Sequence, residues 1–271
     1  MATFRRTYLE NEFKKLSEEL SEHINMYLIG GGAMSFQNLK VATKDIDVVF
    51  RSAREFELTR NVLLSLGYFV PCIRGAYADM NASAILENAE GFRWDLFVHV
   101  VCNGLKLSES MVKRSTELFT FKNISVHMLA PEDIFVFKSI TSRDRDREDM
   151  YILFTRGLDF DVIRNEIVWQ NEHDRSFAWI AFFFDGLEEF TDRYRISHPI
   201  IGELHDIAYQ DMLAQMLIEK LKNGHKTFEE LCLGLDSGDV TEVLKLLVKK
   251  RIIIQHSESK FSLNDFPDDL H

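Results

Sequence analysis

The sequence predicts an α+β fold, in which a mixed β-sheet is flanked by helices and followed by a helical region. Short apolar strands alternate with amphipathic helices over the first 130 residues, whereas the pattern after Pro131 is helical as far as about residue 222. The last segment has the order helix, turn, helix and hairpin. We therefore expect three domains, which span residues 1–130, 131–222 and 223–271.

The first predicted domain consists of three helices, two single strands and two hairpins. Apolar residues at helical spacing define the helices, and short apolar runs bounded by turn residues define the strands. In chain order, we expect a helix at 7–24, a strand at 26–30, a helix at 33–41, a strand at 45–50, a helix at 52–68 and hairpins at 83–100 and 117–129. Gly67 is the predicted stop of the third helix, and the hairpins turn at Asn88–Gly91 and Lys122–Asn123.

The second predicted domain is helical throughout, and the third has an order typical of a winged helix. Within the helical domain, the stretch "FAWIAFFFDGLEEF" is so apolar that we expect a buried helix of a bundle. The third domain combines helices at 226–235 and 238–251 with a hairpin at 251–263. A basic cluster at Lys245–Arg251 permits this domain to bind DNA or a protein partner.

The composition limits the classes of function. Lys and Arg total 32 against 43 Asp and Glu, and the net charge of −11 disfavours broad nonspecific binding to nucleic acid. A site for a polyanion is therefore expected to rely on metal ions. No run of about 18 apolar residues is present and the N-terminal residues lack the apolar core of a secretory signal, so we expect no membrane segment. Together with three widely spaced cysteines, these features predict a cytoplasmic protein.

Two aspartates and three glycines in one short stretch carry the candidate chemistry. Asp45 and Asp47 alternate on a predicted strand and therefore share one face. Two adjacent carboxylates repel each other unless a cation such as Mg²⁺ lies between them. Gly30, Gly31 and Gly32 have no side chains, so their backbone N–H groups can approach a phosphate at the start of a helix. Phosphate beside metal indicates phosphoryl or nucleotidyl transfer.

A third carboxylate is expected to complete a site for two metal ions, and Asp95 is the candidate. It lies between Trp94 and Leu96 on a strand with a half-buried pattern, so its carboxylate needs a partner. The alternative role for this side chain is a structural salt bridge to Arg93 or to another base.

These motifs resemble the signature of the nucleotidyltransferase superfamily, whose fold is that of DNA polymerase β and of the minimal nucleotidyltransferases. The signature is a hydrophobic residue, a Gly-Gly or Gly-Ser pair, then Asp-x-Asp and an Asp on a later strand. Its counterparts in this sequence are Ile29, Gly30, Gly31, Gly32, Asp45, Asp47 and Asp95. The stretch "GGGA…ATKDIDVVF" especially resembles the small prokaryotic branch that includes toxin-type and antibiotic-modifying enzymes. The resemblance covers about residues 1–150 and implies a nucleotidyltransferase fold.

The resemblance also implies roles for these residues. Asp45 and Asp47 would bind two Mg²⁺ ions and the triphosphate of an NTP, and Asp95 would share the metal ion that activates the acceptor hydroxyl. The glycine turn would hold the phosphates. Many family members carry Ser at the second motif position, whereas this chain has Gly32, whose backbone N–H can still bind a phosphate.

Basic residues outside the signature are further candidates for nucleotide binding. In the same branch, a Lys on the helix after the sheet and the Arg–Asp-rich turn that follows border the nucleotide pocket, which implies this role for Lys138 and Arg143. Lys44 is assigned to the same pocket. The alternative for the Arg–Asp-rich segment is an exposed helix start, cross-linked by i,i+4 pairs such as that between Arg145 and Asp149.

Two functions remain open at this point. The leading hypothesis is an Mg²⁺-dependent enzyme that transfers NMP from an NTP, with ATP as the expected donor, to a hydroxyl of RNA, protein or a small molecule. It extends to a toxin whose active site is masked by an antitoxin partner. The alternative is a regulatory protein that binds DNA or protein through the winged helix and carries a degenerate nucleotidyltransferase domain. The presence of all three aspartates favours the enzyme.

Overall fold

The computed structural model of the chain describes residues 3–71, 82–102, 104–173 and 179–264. Contacts within the chain divide it into two compact units, Met1–Glu166 and Ile167–His271. The division between these units does not coincide with the predicted boundaries after residues 130 and 222, and the three-domain division stays a prediction.

A six-stranded mixed sheet forms the centre of the first unit. Its strands are β1 (Ile24–Ile29), β2 (Asp45–Phe50), β3 (Ala84–Glu87), β4 (Arg93–Val98), β7 (Thr116–Thr120) and β8 (Ile124–Met128). They lie in the order β3-β4-β2-β1-β8-β7, in which β2–β4 and β1–β8 are parallel and the other neighbours are antiparallel. A separate small hairpin, β5 (Val100–Val101) and β6 (Leu105–Lys106), was not predicted. Both predicted hairpins and the mixed sheet are confirmed.

Helices flank this sheet, as predicted. They are α1 (Arg6–Glu19), α2 (Gly30–Phe36), α3 (Ala53–Ser65), α4 (Glu109–Arg114), α5 (Pro131–Ser139), α6 (Asp144–Thr155) and α7 (Phe160–His173), the last of which crosses the boundary between the units. Helix α3 begins where the Ser52 side chain accepts a hydrogen bond from the Glu55 N–H, and it ends just before Gly67, whose φ is +91°. The short helix α4 was not predicted, and α2 begins at Gly30 rather than at Ala33.

The core fixes the orientation of the two strands that carry the predicted carboxylates. Ile46 and Val48 of β2 are fully buried, as is Trp94 of β4, whose ring packs edge-on against Phe13 of α1 at 5.0 Å between ring centroids. Because side chains alternate along a strand, Asp45 and Asp47 point to the face of the sheet opposite to that of Ile46 and Val48.

The second unit contains α8 (Ile180–Tyr194), α9 (Pro199–Leu221), β9 (Lys226–Thr227), α10 (Phe228–Cys232), α11 (Ser237–Lys249), β10 (Ile253–Ser257) and β11 (Lys260–Leu263). Helix α8 buries Phe183, Leu187 and Phe190 on one face and packs against α9, in agreement with the predicted buried helix. The three strands form a sheet in the order β10-β11-β9, and α11 packs against α9 and β10. The predicted order of helices and hairpin is present, and its assignment as a winged helix stays a prediction.

The cysteines and the apolar helices bear on the predicted cytoplasmic location. Cys102 is a buried free thiol, Cys232 is a free thiol at a partly exposed position, and Cys72 lies outside the described residues. Within the part of the chain that the structure describes, no helix is both long enough and apolar enough to cross a membrane. The cytoplasmic location stays a prediction.

Candidate active site

The pairing of β2 with β4 brings the three predicted carboxylates together. The two strands are parallel, and their register places Asp45 opposite Arg93 and Asp47 opposite Asp95. Nη2 of Arg93 donates hydrogen bonds to Oδ2 of Asp45 at 3.0 Å and to Oδ2 of Asp95 at 3.1 Å. Because both oxygens bind one nitrogen, they are no more than about 6 Å apart, which is compatible with shared metal coordination. The salt bridge from Asp95 to Arg93, considered above as the alternative role, is therefore also present.

The carboxylates on this face lie beside one another, those of Asp47 and Asp95 are buried, and the pKa values of these two groups reflect both facts. Burial, and then the charge of Asp45, raises the pKa of Asp47 to about 7, although nearby cations act in the opposite direction. Burial, and then the charges of Asp47 and Asp45, raises the pKa of Asp95 well above its usual range. Oδ1 of Asp95 is buried and has no hydrogen-bond partner in the described structure. An additional cation would stabilise the ionised form of every carboxylate in this group.

Three aspartate carboxylates suit a hard divalent cation such as Mg²⁺, which prefers oxygen ligands. Among the residues that the structure describes, no three His, Cys, Asp or Glu side chains are arranged so that they could hold a metal ion. The guanidinium of Arg93 instead lies between Asp45 and Asp95. Metal coordination by this group would therefore require a change in the contacts of Arg93.

The glycines at the start of α2 make room for the carboxylate group. Gly30 has a φ of +63°, and a Cβ at this position would lie 2.2 Å from Oδ2 of Asp47. A Cβ at Gly31 would lie 2.8 Å from Oγ1 of Thr43. A Cβ at Gly32 would instead contact the Leu28 side chain at 3.2 Å, so this residue is packed against the core. The close approach of the Asp47 and Thr43 side chains thus explains why glycine is required at positions 30 and 31, which the sequence did not reveal. Phosphate binding by all three glycines stays a prediction.

Helices α5 and α6 supply a second set of charged side chains, centred on Lys138. Its ammonium forms salt bridges with Asp146 and, at 2.9 Å, with Asp149. Lys40 binds Asp149 at 2.6 Å, and Nε of Arg143 donates to Asp146 at 2.7 Å. The network thus joins three basic residues to two buried carboxylates.

The burial of this network overturns the alternative interpretation of the Arg–Asp-rich segment. Asp146 and Asp149 are each only 2% exposed, and Asp149 pairs with Lys40 and Lys138 from other elements rather than merely cross-linking its own helix to Arg145. An exposed helix start held by local i,i+4 pairs is therefore wrong for these two aspartates.

Asp146 and Lys138, which pair with each other in this network, are both held in their charged forms. Burial alone would raise the pKa of Asp146, but Lys138 and Arg143 hold it well below its usual range. Burial alone would lower the pKa of Lys138, but Asp146 and Asp149 raise it. The Thr141 hydroxyl also donates to Asp146. The two carboxylates of the network are consequently neutralised by basic side chains of the protein itself.

A cleft of about 130 Å³ lies between the two sets of side chains. Of the residues predicted from the sequence, it is lined by Gly31, Lys44, Asp45, Asp47, Lys138 and Arg143. Further lining residues, which sequence reasoning did not assign to the site, are Lys40, Thr43, Arg145, Asp146 and Asp149. For two of these a signal existed, since Asp146 and Asp149 fall on the same helical stripe as the buried Met150 and Leu153. An acid within an apolar stripe needs a buried partner.

Comparison with known families identifies the chain. A family model described as "Nucleotidyltransferase of unknown function (DUF6036)" matches residues 7–181, which is more than half of the chain. The chain belongs to this nucleotidyltransferase family. The match covers β1, α2, β2 and β4, and with them every predicted site residue, and it confirms the enzyme class predicted from the sequence.

A solved structure also resembles the chain. It is a crystal structure of a Thermotoga maritima protein described as a "putative nucleotidyltransferase", with 15% sequence identity and a TM-score of 0.35. The alignment covers 62% of this chain and 96% of that one. No curated protein sequence matches the chain. The family assignment accordingly rests on the family model.

Proposed function

We propose that the chain transfers NMP from an NTP to a hydroxyl acceptor, with two Mg²⁺ ions held by Asp45, Asp47 and Asp95. The observation that carries this proposal is the parallel register of β2 and β4, in which the three aspartates share one face of the sheet, while Asp45 and Asp47 line a cleft that basic side chains also line. Residues of opposite charge on the two sides of one cleft suit a metal–triphosphate complex, which presents both charges itself.

The residues fit Mg²⁺ chemically. All three are oxygen ligands, Oδ1 of Asp95 has no hydrogen-bond partner in the described residues, and the raised pKa of Asp47 reflects a need for positive charge. When bound, Mg²⁺ would offset the charge of the triphosphate and favour the ionised form of the attacking hydroxyl.

The chain's own side chains would bind and orient the substrate. Lys44 and Arg145 line the cleft and are suited to phosphate oxygens. Lys40 and Lys138 lie deeper, where their salt bridges to Asp149 fix the floor against which the phosphates would lie. This arrangement would hold the α-phosphorus in line with the acceptor oxygen and exclude competing orientations.

The proposed reaction balances as a nucleotidyl transfer. The acceptor oxygen forms a bond to the α-phosphorus, and the bond from that phosphorus to the bridging oxygen of the β-phosphate breaks. Pyrophosphate leaves with the electron pair of that bond, and the hydroxyl proton passes to a carboxylate of the Asp45, Asp47 and Asp95 group. The products are pyrophosphate and an acceptor that carries NMP through a phosphodiester or related ester.

The test is transfer of label from NTPs by the full chain. Purified protein is incubated with Mg²⁺, total cell RNA and protein, and each of the four NTPs labelled at the α- or the γ-phosphate. We expect α-label, from ATP first, to become attached to one acceptor class, γ-label to be released in pyrophosphate, and transfer to stop when EDTA removes the metal. Attachment of γ-label, or transfer that persists in EDTA, would contradict the proposal.

We further propose that the segment from residue 223 is a winged helix that engages a macromolecular acceptor or a partner protein. In support, a groove of about 480 Å³ lies between α11 and the β10–β11 hairpin. Leu244 and Phe261 contribute apolar surface to the groove, and Lys245 and Lys249 contribute positive charge. A toxin-type role, in which an antitoxin masks the cleft, is an extension of this proposal.

The regulatory alternative makes a different prediction for the same experiments. A degenerate enzyme would bind DNA or protein through the winged helix without transferring label from any NTP. Retention of Asp45, Asp47 and Asp95 on one face favours the enzyme, since nothing in a purely regulatory role requires this set of buried charges.

A further inference from the structure

Arg93 has an unusual position among the predicted metal ligands. It faces Asp45 across the parallel β2–β4 pair and lies two residues before Asp95 on the same strand, so the three side chains share one face of the sheet. One nitrogen, Nη2, contacts both carboxylates, at 3.0 and 3.1 Å. The side chain is only 15% exposed, and that of Asp95 is 1% exposed. Arg93 is therefore a buried cation in the middle of the carboxylate group.

Two other cations of the cleft, Lys138 and Arg143, are bound to other acids. Lys138 pairs with Asp146 and Asp149, and Arg143 pairs with Asp146. Arg93 instead forms ion pairs with Asp45 and Asp95, and it engages one oxygen of each. The remaining oxygen of Asp95, Oδ1, is buried without a hydrogen-bond partner in the part of the chain that is described.

We propose that Arg93 is an internal counter-ion that holds the carboxylate group together in the metal-free protein and competes with divalent metal ions for it. The inference rests on the proposed function only in requiring that Asp45, Asp47 and Asp95 bind a divalent cation. Three closely spaced carboxylates without a cation repel one another, and a guanidinium bound to two of them reduces that repulsion. The same positive charge opposes an incoming Mg²⁺, so metal binding must release at least one of the two contacts.

Arg93 thereby acts as a positioning residue that sets metal affinity. It keeps the ligands in place before the metal–nucleotide complex arrives, and it makes binding of free metal weaker than it would otherwise be. A metal–NTP complex, which brings additional contacts to the cleft, would displace Arg93 more readily than the free ion. The enzyme would then retain little metal between turnovers.

The experiment uses the full chain and the substitution Arg93→Gln, which removes the charge and keeps much of the length. Two quantities are measured, the Kd for Mn²⁺ by electron paramagnetic resonance and the melting temperature with and without saturating Mn²⁺. We expect Mn²⁺ to bind about tenfold more tightly, which corresponds to about 1.4 kcal/mol. The metal-free protein should melt at a lower temperature, and saturating Mn²⁺ should restore most of the loss.

Arg114→Gln is the matched control. Arg114 also joins two buried carboxylates of the first unit, Asp133 at 2.6 Å and Glu166 at 2.7 Å, but neither acid is a candidate metal ligand. This substitution should lower the melting temperature equally with and without Mn²⁺ and should leave the Kd for Mn²⁺ unchanged. The control therefore separates loss of a structural salt bridge from loss of a competitor for metal.

The Mn²⁺ affinities and melting temperatures distinguish failure of the counter-ion role of Arg93 from failure of the proposed function. An unchanged or weaker Mn²⁺ affinity of Arg93→Gln, or a melting-temperature loss that Mn²⁺ does not repair, would overturn the counter-ion role while leaving the proposed function intact. Failure of the unsubstituted chain to bind Mn²⁺ would overturn both. If Arg93→Gln does not fold in the absence of metal, saturating Mn²⁺ must restore its folding, and a variant that stays unfolded with Mn²⁺ would overturn the counter-ion role.

Discussion

The two walls of the cleft contain the same kind of residue in opposite electrostatic states. The sheet wall comprises Asp45 and Asp47, which line the cleft, together with their neighbours Asp95 and Arg93. Burial, and then the charge of Asp45, raises the pKa of Asp47 to about 7. The helix wall, formed by Asp146 and Asp149 with their lysine and arginine partners, holds the pKa of Asp146 well below its usual range. All of these carboxylates except that of Asp45 are almost fully buried.

Because Asp47 and Asp146 are both buried, the opposite directions of their pKa shifts follow from the local balance of charge rather than from burial. On the helix wall, two carboxylates share salt bridges with Lys40, Lys138 and Arg143. On the sheet wall, three carboxylates lie around one arginine. The carboxylates of the helix wall are neutralised by basic residues of the chain, whereas those of the sheet wall outnumber their basic partner and would be stabilised by an external cation. Only the sheet wall is suited to recruit metal ions, and the helix wall is suited to orient what they bring.

The largest effect is expected from removing the charge of the sheet wall. The double substitution Asp45→Asn with Asp47→Asn should lower label transfer from NTP by about a thousandfold or more, since electrostatic groups at the reacting phosphate commonly contribute a hundredfold each or more. The metal-free protein should melt at the same or a slightly higher temperature, because repulsion between carboxylates is relieved. Asp161→Asn, at an exposed position on α7, is the control and should leave transfer unchanged.

The helix wall should respond to the same chemical change with a loss of stability. Asp146→Asn leaves Lys138 and Arg143 short of a buried partner and should lower the free energy of unfolding by about 3 kcal/mol. Because the folded-state pKa of Asp146 lies below that of the unfolded chain, its stabilising effect is present above about pH 4 and is lost as the pH falls further. Urea unfolding should show a constant difference from pH 8 to about 5 that narrows below about pH 4. A difference that widens at low pH would contradict this assignment.

A smaller effect is expected from Gly30→Ala, which tests the close approach of α2 to Asp47. The new methyl group would lie 2.2 Å from the carboxylate oxygen, so the carboxylate must move, and metal affinity should fall by about 10- to 100-fold. Gly67→Ala is the control, because Gly67 also has a positive φ but has no atom within 4 Å of the added carbon. It should cost about 1 kcal/mol of stability, as measured by denaturant unfolding, without changing metal affinity.

The smallest effect on the cleft is expected from the second unit. The double substitution Lys245→Glu with Lys249→Glu reverses charge beside the α11 groove and should leave Mn²⁺ and NTP binding unchanged. Affinity for a nucleic-acid acceptor should fall, and the affinity of the unsubstituted chain should weaken steeply with salt in filter-binding measurements. An acceptor affinity that is insensitive to both salt and charge reversal would show that these lysines do not engage the acceptor.

The sequence could predict the sheet wall because its signal is local. Asp45 and Asp47 share a face through the two-residue period of a strand, and that prediction needs no tertiary information. The pairing of Asp47 with Asp95 depends on the register of two strands far apart in sequence, which periodicity does not specify; here the resemblance to a family supplied the third aspartate. The contact of Arg93 with both acids follows from that register.

The helix wall was harder to predict for a physical reason. Lys40 and Asp149 meet across more than 100 residues of sequence, and their salt bridge leaves no local pattern. The dense charges near Asp146 resembled an exposed helix start, and only their position in an apolar stripe indicated burial. Very short elements such as β5, β6 and α4 were missed because they are shorter than the window in which periodicity can be recognised.

The difference between the two walls is tested most directly by counting bound Mn²⁺ ions. Electron paramagnetic resonance titrations are compared for the unsubstituted chain, for Asp45→Asn with Asp47→Asn, and for Asp146→Asn under conditions where each is folded. We expect saturable Mn²⁺ binding by the unsubstituted chain and by the Asp146 variant, and loss of that binding in the Asp45 and Asp47 variant. Undiminished Mn²⁺ binding by the Asp45 and Asp47 variant, or its loss in the folded Asp146 variant alone, would contradict the assignment of metal recruitment to the sheet wall.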